Sequence, residues 1–284
     1  MAGPLKILFL AEGRLGDSII ITPALRAVKE KYPDSFISVM MFRRHKYVGS
    51  TGEVKFNIEK SDFTGTARVF LNNPAVDEVL EMDRIALRSL RGLDRLKSEF
   101  RGIKYLRREK FDVAVCTFPQ NRFVIWAFFA GIKKRIGQKN QGFSFLLTDK
   151  PELDRSESGI LKYVCALLLP LGVKTAEFET TFSISRESIE KVGHLFREKK
   201  IDHSRKLITI HPGASAPDRQ WPPEYLADLI SKLQSTDKYQ LILSYSQFEK
   251  EFVDDLKRYL KEPIVEVPDE SIDDLGALLS KTDL

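Results

Sequence analysis

Apolar residues in this chain fall into short continuous runs separated by longer segments with a three-to-four-residue period, and the two patterns alternate from one end to the other. Lys6 to Ala11, Phe36 to Met41, Val79 to Met82, Asp112 to Phe118 and Lys134 to Gly137 read as strands. Short apolar runs bounded by polar or turn residues are what a sheet covered on both faces requires. Helical spacing marks Ser18 to Lys31, Arg95 to Glu109, Arg122 to Ala130 and Gly159 to Leu171. Beyond these, strands are predicted at Leu207 to His211, Gln240 to Ser244 and Ile264 to Val267. Helices are predicted at Arg186 to Lys199, Pro223 to Leu233, Phe248 to Leu260 and Ile272 to Leu279. Strands alternating with helices predict an α/β protein whose parallel sheets are joined by crossover helices.

The stretch 172–185 has little helical period and marks a change in charge, so it predicts a boundary between a first domain over 1–175 and a second over 176–284. Residues 49–66 are polar, glycine-containing and aperiodic, which reads as a loop or an insertion. Lys281 to Leu284 looks like the entry to one more strand. The second sheet therefore stops in mid-pattern, and a truncated C-terminal domain is expected.

A length of 284 residues with 43% apolar content suffices for two cores. No stretch approaches the roughly 18 uninterrupted apolar residues of a membrane span, and a strand begins almost at once, so neither a span nor a signal peptide is expected. A cytoplasmic location follows as an expectation. Cys116 and Cys165 lie in apolar segments and read as buried thiols. The histidines at 45, 194, 203 and 211 show no ligand spacing, so no metal is expected.

Charge changes the picture more than composition does. Residues 1–170 hold 29 basic against 19 acidic side chains, a net of +10, whereas 171–284 hold 16 against 21, a net of −5. Much of the excess lies in Arg84 to Lys110, with ten basic and three acidic residues, and a smaller cluster spans Arg43 to Lys46. A solvated helix face reads the same way. The functional alternative is an anionic partner, either a phosphorylated substrate or an anionic membrane surface. No helix-turn-helix or aromatic-rich sheet pattern supports nucleic acid.

Two strand-to-helix turns could carry chemistry. The first, GDSIIITPALRAVKEKYP from Gly16 to Pro33, sets the carboxylate of Asp17 where open α/β sheets put ligands and reacting groups. Gly16 reads as permitting a tight turn, Asp17 alternatively as a helix N-cap, and Pro23 as beginning the regular helix or kinking it. The second is HPGASAPDRQWPPEYLADLI. Here Gly213, Ala214 and Ser215 let backbone amides and a hydroxyl approach an anion, and Arg219 offers a forked cation suited to phosphate. It has no Gly-Lys-Ser/Thr ending, and the chain has no GxGxxG fingerprint. An ordinary proline-bounded loop with Trp221 packed on the core is the structural alternative. His211 reads as a strand-end histidine satisfied by backbone, Glu249 as a carboxylate favouring a helix N-terminus, and Phe123, Trp126, Phe128 and Phe129 as core.

The stretches ILFLAEGRLGDSIIITPALRAVKEKYP, NNPAVDEVLEMD, KFDVAVCTF and ITIHPGASAPDRQWPPEYLADLI together resemble glycosyltransferase family 9, the ADP-heptose:lipopolysaccharide heptosyltransferases and their relatives. The pairing of GD with TPALRA, and of PGAS with a basic residue two before Trp221, carries the resemblance. It implies a GT-B fold: two Rossmann-like domains facing across a cleft, the first for the acceptor and the second for the nucleotide sugar. It makes Asp17 the general base, with Gly16 and Arg14 on the acceptor side. Ser215 falls at the hydroxyl that meets the donor phosphates, Arg219 replaces the family's usual lysine, and Glu249 falls at an acidic nucleoside contact. The family's later Asp-x-Gly-Pro-x-His loop would follow Leu284.

The implied reaction is an inverting, metal-independent transfer, without a cofactor, from ADP-heptose to a phosphorylated glycolipid of the lipopolysaccharide core or a related envelope glycan. The implied location is cytoplasmic and peripheral on the inner face of the cytoplasmic membrane. A sugar-nucleotide 2-epimerase of the same architecture and a non-catalytic sugar-nucleotide-binding protein are the alternatives, and the GD and TPAL unit favours transfer.

Overall fold

A computed structural model describes residues 3–43, 65–83, 90–152, 155–174, 177–214, 217–269 and 271–284. The predicted insertion at 49–66 lies outside them except for its last two residues, as do 84–89 and most of the Arg43 to Lys46 cluster. The chain divides into two compact units, Met1–Ser183 and Ile184–Leu284.

In the first unit the order is β1 (Lys6–Ala11), α1 (Leu15–Ile20), α2 (Thr22–Lys31), β2 (Phe36–Arg43), the single turn α3 (Arg68–Leu71), β3 (Glu78–Asp83), α4 (Gly92–Glu109), β4 (Val113–Cys116), α5 (Asn121–Phe129), β5 (Lys134–Ile136) and α6 (Arg155–Ala166). The five strands are all parallel, in the order β3-β2-β1-β4-β5. Side-chain alternation along β1 splits its apolar run between two cores. Ile7, Phe9 and Ala11 pack with Ala24, Leu25 and Val28 of α2 and with α3 and α6. Leu8 and Leu10 pack with Leu106 of α4 and with Phe123 and Trp126 of α5. Cys116 and Cys165 are buried free thiols, and burial pushes them up to about 12 and about 11, which holds both as inert neutral groups at neutral pH.

The helix predicted from Ser18 to Lys31 is two helices that meet at Ile21. Pro23 occupies the first turn of α2, where its missing N–H costs nothing, and its ring bars a helix that would run on from α1. Thr22 Oγ1 donates to the Ile19 carbonyl at 2.8 Å, the oxygen whose usual partner would be the absent Pro23 N–H. The Gly159 to Leu171 helix starts earlier, at Arg155, is interrupted at Gly159 and gives way to a 3-10 turn over Leu169–Leu171.

The second unit runs α7 (Arg186–Glu198), β6 (Lys206–Ile210), α8 (Pro223–Gln234), β7 (Tyr239–Tyr245), α9 (Lys250–Tyr259), β8 (Val265–Pro268) and α10 (Ile272–Leu279). Its strands are parallel in the order β6-β7-β8. Again β7 alternates: Ile242 faces Val192, Phe196 and Leu278, while Leu241 and Leu243 face Leu226, Ile230, Val253 and Leu256. Residues 283 and 284 lie along the free edge of β6. Asp283 N donates to the Leu207 carbonyl at 2.9 Å, and Thr209 N to the Leu284 carbonyl at 2.7 Å.

Close packing of α4 on α5 depends on Gly102, since a Cβ there would meet the Trp126 ring at 2.6 Å. Gly102→Ala is expected to overpack this contact and lower the unfolding free energy by about 1–3 kcal/mol, read by urea denaturation. An unchanged midpoint would show that the two helices part without cost.

Candidate functional site

Chain order in the first sheet runs outward from β1 to β3 and then resumes at β4 on the other side of β1. This reversal makes the carboxyl end of β1 a topological switch point, the place where open α/β sheets leave room for a ligand. Glu12 and Gly13 close the strand, buried, and Glu12 Oε2 accepts from Gln120 Nε2 at 2.5 Å, tying the turn after β1 to the turn after β4. Arg14 is the N-cap of α1, exposed and extended, with no side-chain cap bond. Ser18 N and Ser18 Oγ both donate to the Arg14 carbonyl at 3.0 Å.

Asp17 is consequently the third residue of α1 rather than its N-cap, half-buried and in the first turn where a carboxylate favours the helix dipole. Gly16 also departs from expectation. It is helical, it is not among the residues with positive φ, and a Cβ built on it would meet nothing within 4 Å. Its contribution is open space beside Asp17, not backbone freedom.

In the second unit the polar residues gather at the carboxyl ends of all three strands. His211 follows β6, Ser244 is the penultimate residue of β7 and Asp269 follows β8. Ser244 Oγ donates to Asp269 Oδ1 at 2.5 Å, and His211 Nδ1 lies 3.2 Å from Ser244 Oγ and 3.8 Å from Asp269 Oδ2. The histidine thus takes side-chain partners, not the backbone ones expected of it. Burial holds the Asp269 carboxyl above its ordinary value, the Ser244 hydrogen bond and the His211 ring pulling the other way.

The same edge brings Gly213 and Glu249 together. A Cβ on Gly213 would lie 2.5 Å from Glu249 Oε1 and 2.8 Å from its Cγ, so the loop after β6 admits the Glu249 side chain only because residue 213 has none. Glu249 Oε2 in turn accepts from Ser246 N at 2.7 Å and from Ser246 Oγ, forming a capping box over the 3-10 turn Gln247–Glu249. Ala214 is half-buried and Ser215 lies outside the described residues. Arg219 is exposed at the end of a 3-10 turn over Pro217–Arg219. Trp221 is 52% exposed, so it does not pack on the core as the structural alternative requires. Phe128 and Phe129 are exposed too, whereas Phe123 and Trp126 are buried.

Sequence reading missed Ser244 and Asp269. Their signal is positional, since each is a polar residue at or next to the carboxyl end of an apolar strand, on the ligand-bearing edge of a parallel sheet. Among the described residues, no group of three or more His, Cys, Asp or Glu side chains is arranged to hold a metal ion.

The chain matches the model of glycosyltransferase family 9 (heptosyltransferase) over residues 100–284. No curated protein matches it in sequence. Among solved structures it is similar to the glycosyl transferase family 9 protein from Veillonella parvula DSM 2008, with a TM-score of 0.79 and 17% identity over 100% of this chain and 76% of that one. It is also similar to the ADP-heptose lps heptosyltransferase II of E. coli, with a TM-score of 0.70 and 18% identity over 98% of this chain and 77% of that one. A third is the E. coli heptosyltransferase WaaC with ADP, with a TM-score of 0.70 and 12% identity over 99% of this chain and 80% of that one. These likenesses establish an α/β fold of the GT-B type.

Two measurements check this geometry. Gly213→Ala and Ser246→Ala both act through the Glu249 cap, so their effects on unfolding free energy are expected to be non-additive by at least about 0.5 kcal/mol; strictly additive losses would separate them. Because the folded chain holds the Asp269 carboxyl above the ordinary aspartate value of 3.8, the stability it contributes is full below that value and falls as pH rises through the folded value. Asp269→Asn is expected to remove that fall. The urea midpoint of the variant relative to wild type should rise from acid towards neutral pH, and parallel curves would contradict the assignment.

Proposed function

Because the chain belongs to glycosyltransferase family 9 and is a glycosyltransferase, we propose that it transfers a heptose from ADP-heptose, with inversion, to a lipopolysaccharide core or related envelope glycan. The observation that carries this reading is the half-buried Asp17 carboxylate at the switch point of the first sheet, beside the open space over Gly16. A carboxylate there is accessible to a ligand yet shielded enough for its hydrogen bonds to be directional.

In the proposed reaction Asp17 accepts the proton of an acceptor hydroxyl while that oxygen bonds to the anomeric carbon. The bond from that carbon to the phosphate oxygen breaks, and the nucleoside diphosphate leaves with the electron pair. General-base assistance of this kind contributes about 10²- to 10⁴-fold. Negative charge grows on the departing diphosphate, and the amides of Gly213 and Ala214, the Ser215 hydroxyl and the Arg219 guanidinium are assigned to it. Arginine in this role offers a two-pronged contact where a lysine would offer a point charge.

Glu249, fixed by Ser246 and seated against Gly213, is assigned to the nucleoside, and its rigid capping geometry is what a hydroxyl-reading carboxylate needs. Arg14 and Gly16 belong to the acceptor side. The basic excess of the first 170 residues supports a phosphorylated glycolipid as acceptor, and with it a peripheral location at the cytoplasmic face of a membrane. ADP-heptose as donor is supported by the family and by the similarity to WaaC, which has also been solved with ADP-2-deoxy-2-fluoro heptose.

Incubating the full chain with a panel of nucleotide sugars and a core-glycan acceptor, and reading which nucleoside diphosphate is released, tests the donor. Asp17→Asn tests the base. It is expected to leave circular dichroism and the melting midpoint almost unchanged while lowering nucleoside diphosphate release by about 10²-fold or more. Near-normal release would remove Asp17 from the role.

A further inference from the structure

One face of α4 carries Leu93, Leu96 and Phe100, spaced i, i+3 and i+7, and therefore in one stripe along the helix. An amphipathic helix ordinarily buries such a stripe, yet these three side chains are 73%, 54% and 67% exposed. Phe129 of α5 adds another exposed aromatic face at 55%. Between the two helices runs a cavity of about 670 Å³ floored by Ile103, Ile125 and the Trp126 ring. Single exposed apolar residues mean nothing, but a contiguous apolar groove marks an interaction surface.

The rim decides what the groove accepts. Arg95, Lys104 and Arg107 line it on the α4 side. Within α4 there are six basic and three acidic residues. The one carboxylate lining the cavity, Glu99, is already engaged by Arg122 at 2.9 Å and by Trp126 Nε1 at 2.7 Å, so the unbalanced charge at the rim is positive. A second copy of this chain is a poor occupant, because a two-fold contact would set the same cations face to face. Acyl chains below a layer of anionic headgroups satisfy both the apolar floor and the cationic rim.

We propose that the α4–α5 groove is a docking surface for an anionic phospholipid bilayer, with Leu93, Leu96, Phe100 and Phe129 entering the acyl boundary and Arg95, Lys104 and Arg107 meeting the headgroup phosphates. The groove begins at Asn121 and Arg122, directly after the turn of β4 that Gln120 ties to Glu12. That end of the groove therefore lies at the carboxyl edge of the first sheet, the edge from which α1 also departs. A membrane held along this seam presents a lipid-anchored sugar to the first unit at its open edge. The proposal deepens the glycolipid-acceptor reading, and rests on it for the purpose of the docking.

Co-sedimentation of the full chain with vesicles tests it without any sugar chemistry. Wild type is expected to bind vesicles of phosphatidylglycerol and phosphatidylcholine and to leave those of phosphatidylcholine alone in solution, with binding that weakens as salt rises. Leu96→Ser combined with Phe100→Ser removes exposed side chains only. It is expected to cut vesicle binding about tenfold or more with an unchanged melting midpoint and unchanged nucleoside diphosphate release on a water-soluble acceptor. Lys104→Glu combined with Arg107→Glu is expected to abolish the preference for anionic lipid.

Binding indifferent to lipid charge, no binding at all, or no effect of both double variants would overturn the proposal. So would a solution dimer that the Leu96 and Phe100 substitutions dissociate. Vesicle binding that persists in a chain releasing no nucleoside diphosphate from any sugar donor would support the docking surface while removing the sugar-transfer reading.

Discussion

Complete burial of β1 is the constraint on which the first unit depends. From Ile7 to Ala11 no side chain reaches water, so both faces of the strand must be covered and both of its edges paired. Helices on each side of the sheet meet the first requirement, and β2 and β4 meet the second. A parallel strand so enclosed can be flanked by its successor on one side only, which forces the chain to return and add β4 on the other. The strand order then reverses at β1, and the turn that leaves it opens between two diverging connections. Asp17 owes its position to that topology.

The second unit reaches a similar result by a different local device. At the carboxyl ends of its three strands His211, Ser244 and Asp269 are linked side chain to side chain, and the buried Asp269 carboxyl is tolerable because Ser244 donates to it. Around this, Gly213 makes way for Glu249, and Glu249 holds Ser246 at the head of the helix that follows. The Glu249 side chain is therefore held in place by its own neighbours, which lowers the ordering cost of a contact made through it.

Much of this was legible in the residues themselves. Continuous apolar runs such as Ile7 to Ala11 fit doubly covered strands, and Pro222 with Pro223 fits a helix start. The placement of Asp17 was legible to within a turn, but its exact position was not. The N-cap reading rested on residue type, whereas the helix starts at Leu15 and leaves Arg14, a poor capping residue, at its boundary. Gly16 misled for the same reason, since glycine signals backbone freedom in sequence and here supplies empty space. Ser244 and Asp269 stayed hidden because they lie 33 and 58 positions beyond His211 in a sequence that shows no motif linking them.

By itself the sequence determined the alternation of strands with helices and the parallel pairing of the sheets, because these follow from local period and from burial on both faces. Only the tertiary structure decided that Glu249 rests on Gly213, that His211 bonds to Ser244 rather than to backbone, and that the stripe Leu93, Leu96 and Phe100 faces solvent rather than core. Those outcomes depend on strand order, register and helix rotation, and each is fixed by contacts between residues far apart along the chain, where no local pattern records who the neighbour will be.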